Sequence, residues 1–104
     1  MTTPSIESPA DLIGSEWAAT PGESLRSYNP ARPDETVWLG SPVQAHIDLA
    51  VRTARGALPG WAGWGLDKRI GALRAVQSLM RARAEELGTL IMRETGKAAW
   101  DSMA

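Results

Sequence analysis

The 104-residue chain contains no cysteine. That excludes a disulfide framework, a thiolate metal site and any mechanism whose nucleophile is a protein thiol. Phenylalanine is also missing, and histidine and asparagine occur once each, as His46 and Asn29. A lone histidine with no second ligand at metal-binding spacing argues against a zinc centre, so His46 reads as an exposed or rim side chain. No apolar run approaches a membrane span, and the first residues lack the basic and apolar regions of a secretory leader. A cytoplasmic location without a membrane partner is the expectation. A dominant charge is lacking too. With a formal net charge of -1 and 43% apolar residues, the composition is that of a folded soluble chain, neither an acidic disordered tail nor a basic nucleic-acid arm. Arg81, Arg83 and Arg93 do not interleave with aromatics, so no nucleic-acid partner is expected.

What is present divides into an extended first part and a helical second part. Residues 1 to 10, rich in Ser, Thr and Pro, read as a flexible lead-in, and residues 11 to 104 as one domain segment. Leu12-Ile13 and Trp17-Ala18-Ala19 flank Gly14-Ser15, which suits a two-residue hairpin turn whose first central position needs positive φ. A second extended pair, Ser24 to Tyr28 and Thr36 to Leu39, is joined by Asn29 to Glu35, where two prolines with Asn and Asp favour a turn. Ser41-Pro42-Val43-Gln44 then reads as a capping box opening a helix, with Pro42 at the first helical position. Ile47, Ala50, Val51, Ala54 and Leu58 form its apolar stripe, and Pro59-Gly60 is expected to end it.

The connector Trp61-Ala62-Gly63-Trp64-Gly65 is expected to anchor a turn by burying its indoles. Its glycines do not match the dinucleotide-binding pattern, and no strand precedes them. A second helix from about Leu66 aligns Ile70, Leu73, Val76 and Met80. Near Arg81 to Ala84 the stripe changes phase, which predicts a break into a helix carrying Leu87, Leu90 and Ile91 and closed by Gly96 at the position after its last turn. Ala98 to Ala104 read as the first turns of another helix. The fold class is therefore α+β: short antiparallel hairpins over residues 11–40, then three to four α-helices over 41–104.

Chemistry-bearing constellations are sparse. Glu85 and Glu86 are adjacent on a helix and point apart, which suits solvent better than paired acid and base work. No serine sits in a nucleophile elbow. Charge is asymmetric: residues 1–50 hold seven acids and two bases (net -5), and residues 51–104 hold nine bases and five acids (net +4). Those bases recur at helical spacing among apolar residues, as solvated faces do.

Tyr28-Asn29-Pro30-Ala31, Ala50-Val51, Ala54 to Ala62, Arg69, Arg83 to Leu87 and Glu94-Thr95-Gly96-Lys97 occur in an order that resembles the amino-terminal region of the aldehyde dehydrogenase superfamily. Glu94 to Lys97 followed by Trp100-Asp101 is most similar to the succinylglutamate-semialdehyde dehydrogenases, with Ala98 where a proline is usual. The resemblance covers about Leu12 to Asp101 and implies an incomplete part of a coenzyme domain. In the full-length family it implies an aldehyde or semialdehyde oxidised to a carboxylate, with NAD or NADP as cofactor, by a cysteine nucleophile and a glutamate base that this chain lacks. Asn29, in a turn, does not correspond to the family's oxyanion-binding asparagine. Some relatives hold a monovalent cation between a backbone carbonyl and an acidic residue that fall on Tyr28 and Glu94; here Glu94 reads instead as a helix-terminal surface carboxylate.

No residue is assigned a catalytic, cofactor-binding or metal-ligating role. The first expectation is a structural segment, inactive alone, whose partner is the remainder of an aldehyde dehydrogenase chain or a related subunit. The second is a self-standing, non-enzymatic helical module that binds a protein partner. Under the first, the helical stripes would pack against a sheet this chain lacks, so in the isolated piece Ile47, Val51, Leu73, Val76, Leu87, Leu90 and Ile91 pack on one another or stay partly exposed and promote self-association.

Overall fold

The computed structural model describes residues 4–6 and 8–103. Within these residues two hairpins precede four helices. Strands β1 (Ala10–Ile13) and β2 (Glu16–Ala19) pair antiparallel, with Ile13 opposite Glu16. Gly14 has φ +65° and Ser15 does not share the positive region, so glycine alone carries the turn's strain. Of the lead-in, residues 1–3 and 7 lie outside the described residues. Pro9 is held, its carbonyl accepting a 2.7 Å hydrogen bond from Thr20 Oγ1.

The second hairpin departs from expectation. Strands β3 (Leu25–Asn29) and β4 (Arg32–Gly40) leave only Pro30 and Ala31 between them, in place of a seven-residue turn. Asn29 Oδ1 accepts from the Ala31 N–H at 3.0 Å and closes the turn locally. Pro33 sits inside β4 because the register slips between Arg32 and Thr36, so no ladder bond is asked of its missing N–H. Its carbonyl instead accepts from Arg26 Nη2 at 2.8 Å. A second slip, between Ser27 and Tyr28, turns Val37 inward, and at 1% exposure it is the buried apolar residue of the described structure.

Helix α1 (Gln44–Gly63) begins later and ends later than its sequence signals imply. Ser41 is not its cap. The hydroxyl accepts from the Ser24 N–H at 3.0 Å and the Ser41 N–H bonds the Thr20 carbonyl at 3.2 Å, so this residue ties the hairpins to the helix approach. Nor does Pro59-Gly60 stop α1. Proline's φ is compatible with a helix, and here the side chains around it are exposed, so water can satisfy the carbonyl its ring leaves unbonded. The stop falls at Trp64, whose N–H bonds Trp61 O at 3.3 Å, and at Gly65 with φ +77°. The indoles do not bury in the turn: Trp61 and Trp64 tilt together at 5.5 Å between centroids, both on the surface.

Helices α2 (Leu66–Ala82), α3 (Ala84–Thr95) and α4 (Ala99–Ser102) match the expected break and terminus. Gly96 takes φ +72° and its N–H bonds Met92 O at 3.0 Å. Gly88 is buried because α4 crosses it: a Cβ there would run into Met103 Sδ and lie 3.1 Å from the Ser102 carbonyl oxygen. The α2 stripe is largely uncovered, with Leu73 62%, Val76 52% and Met80 57% exposed. A radius of gyration of 16.8 Å shows the same looseness, against about 13 Å for a compact chain of this size. No helix among the described residues is long and apolar enough to cross a membrane.

Candidate functional site

The most developed polar arrangement joins the end of α3 to the second hairpin. The last turn of α3 lays Arg93 and Glu94 side by side. In β3 and β4, Ser27 is paired with Trp38, which puts both side chains on the face that meets the helix. Glu94 Oε1 accepts from Ser27 Oγ at 2.8 Å and from the Trp38 indole N–H at 2.5 Å. Glu94 is half-buried, so it is a bridging acceptor and not the free surface carboxylate expected from sequence.

Arg93 makes the neighbouring link, its Nε donating to Glu35 Oε1 at 2.9 Å. Glu35 Oε2 accepts from Asn29 Nδ2 at 3.2 Å. The hydrogen bond from Arg93 holds the Glu35 carboxyl below its usual range, helped by Asn29 and by the charges of Arg93 and Arg32, against the opposing effect of desolvation. Below these links Gly96 packs on the turn: a Cβ added to it would lie 3.3 Å from Pro30 Cβ. Asn29-Pro30-Ala31 and Glu94-Thr95-Gly96-Lys97, far apart in sequence, thus form one junction.

Since Glu35 titrates lower folded than unfolded, its pair contributes stability that is present above the unfolded value and lost as pH falls through the folded one. In a carbon-detected titration, Glu35 is expected to have a midpoint below its ordinary 4.5. Arg93→Gln should move that midpoint upward. An unchanged midpoint would show that Arg93 does not set it.

Elsewhere, His46 is largely covered and its Nδ1 lies 2.8 Å from Asp11 Oδ2, linking α1 to β1. Asp11 was not legible as its partner. The pair borders an open cleft of about 660 Å³ between the first hairpin and the start of α1. Glu85 makes no paired site with Glu86, whose carboxylate forms a two-pronged bond to Arg83 at 2.6 and 2.9 Å. No group of three or more His, Asp or Glu among the described residues is placed to hold a metal.

The junction lies within a stretch that matches a known family. The model of the aldehyde dehydrogenase family matches residues 17–104, which include both halves of the junction. The chain belongs to the aldehyde dehydrogenase family. It is 38% identical over 91 residues to the N-succinylglutamate 5-semialdehyde dehydrogenase of Pseudomonas fluorescens (strain Pf0-1), covering 86% of this chain and 18% of that protein. Proteins of the same name from Paraburkholderia xenovorans (strain LB400) and Chromobacterium violaceum are 40% and 37% identical over 92 residues, 88% of this chain and 19% of each relative. The chain therefore spans under a fifth of the length of the curated relatives it matches. No solved structure matches it.

Two groups implied by the aldehyde dehydrogenase family do not fit the residues present. The glycine-rich turn of the doubly wound dinucleotide fold follows a strand and opens a helix, whereas Gly60, Gly63 and Gly65 lie between or within helices. Among the described residues, both sheets are two-stranded antiparallel ribbons with no parallel crossover. As for a monovalent cation at Glu94, its Oε1 already accepts two hydrogen bonds, from Ser27 Oγ and the Trp38 indole N–H, whose positive ends oppose a cation at that oxygen.

Proposed function

We propose that this chain serves as the amino-terminal scaffold segment of an NAD(P)-dependent semialdehyde dehydrogenase and is catalytically silent by itself. The observation that carries the reading is the match to the aldehyde dehydrogenase family through the hairpin–helix junction in a chain without a thiol. The family's covalent chemistry requires a thiolate nucleophile. The junction residues support a structural role, because the side-chain donors Ser27, Asn29, Trp38 and Arg93 all end on carboxylates of the same chain. Cytoplasmic residence and assembly with the remainder of the enzyme belong to the same reading.

The purified 104-residue chain, given N-succinylglutamate 5-semialdehyde and NAD⁺ or NADP⁺, is expected to generate no reduced nicotinamide above the protein-free rate. Aldehyde-dependent reduction that survives repeated purification would sink this. The second reading, a self-standing module that binds a protein partner, is favoured by the uncovered α2 stripe. Immunodetection of the native polypeptide separates the two. A product as long as the curated relatives supports the scaffold, and one of 104 residues supports the module.

A further inference from the structure

The uncovered face of α2 and α3 has a definite charge pattern. Between the two helices runs an apolar groove of about 420 Å³, lined by Leu73, Val76, Met80, Leu87 and Ile91. A smaller depression on α2, lined by Ile70, Leu73, Arg74 and Gln77, adjoins it. Arg81 lines the first and Arg74 the second, and no Asp or Glu lines either. Seven positions apart on one helix, Arg74 and Arg81 lie on the same side. Among the described residues neither belongs to an ion pair, unlike Arg83 and Arg93.

An apolar surface bordered by unpaired guanidinium groups is complementary to an apolar surface bordered by carboxylates. We infer that the α2–α3 groove docks a face of the remaining aldehyde dehydrogenase chain that is apolar at its centre and carries carboxylates opposite Arg74 and Arg81. This rests on the scaffold reading. It commits to that occupant because the curated relatives extend far beyond the 18–19% of their length that this chain matches. Arg74 and Arg81 are positioning residues for the docking, while the aliphatic groove supplies the buried area.

The test uses a complete enzyme: the Paraburkholderia xenovorans relative with its matched segment replaced by the residues of this chain. An active chimera is expected. In it, Arg74→Glu/Arg81→Glu should lower Tm by roughly 3 °C or more at low ionic strength, and the loss should shrink with added salt as repulsion is screened. The control Arg52→Glu/Arg55→Glu, away from the groove, makes the same change in net charge and should leave Tm nearly unchanged. An active chimera whose Tm ignores the Arg74/Arg81 reversal overturns the inference and leaves the scaffold reading standing. A chimera that never yields active enzyme overturns both. If instead the 104-residue chain forms a salt-sensitive dimer that the double reversal abolishes, the face belongs to a second copy and the inference fails.

Discussion

Glu94→Leu is expected to destabilise the chain by about 2–3 kcal/mol, because it removes the acceptor shared by Ser27 Oγ and the Trp38 indole. Leucine has similar bulk, so the loss isolates the two orphaned donors from any cavity effect. Both are only part-buried, which places each near the lower end of the penalty for an unsatisfied group. Glu94→Gln retains a carbonyl acceptor and should lose less than half as much. Urea unfolding monitored by tryptophan fluorescence reads both variants against the parent. Equal losses for Leu and Gln would mean that charge, and not hydrogen bonding, sustains the junction.

Gly96→Val is the second large effect, expected at about 1–3 kcal/mol. The residue has φ +72°, which a β-branched side chain rarely adopts, and its new Cβ would press on Pro30 at 3.3 Å. Asparagine tolerates the left-handed region but still adds the Cβ. The expected order of stability is therefore Gly96, then Gly96→Asn, then Gly96→Val. A Gly96→Asn variant as weak as Gly96→Val would assign the whole cost to contact with Pro30.

The local signals read well where one residue type has one physical use. Gly14 and Gly96 were legible as a turn and a helix terminus because positive φ admits few alternatives. Ser41 and Pro59 were misread because each has competing uses. A serine that caps a helix can equally bond a neighbouring strand, and a proline that breaks a helix can remain in one where the abandoned carbonyl meets solvent. The junction itself was not legible as a site. Ser27 and Trp38 are ordinary residues 67 and 56 positions from Glu94, and only the folded chain brings them to one of its oxygens. The family resemblance pointed to Glu94 and to Asn29-Pro30-Ala31, but nothing in either sequence motif specified the partner side chains.

The Ser27–Glu94 bond spans 67 residues, and closing a loop of that length costs roughly 4 kcal/mol of chain entropy before any contact offsets it. Both hairpins and all four helices are, by contrast, short-range structures that can form while the chain is still open. The order of assembly follows: ribbons and helices first as separate local units, then the ring between β3 and α3. On the ribosome that ring cannot shut until Glu94 has emerged, so until then the segment is a string of elements without the clasp that later aligns them.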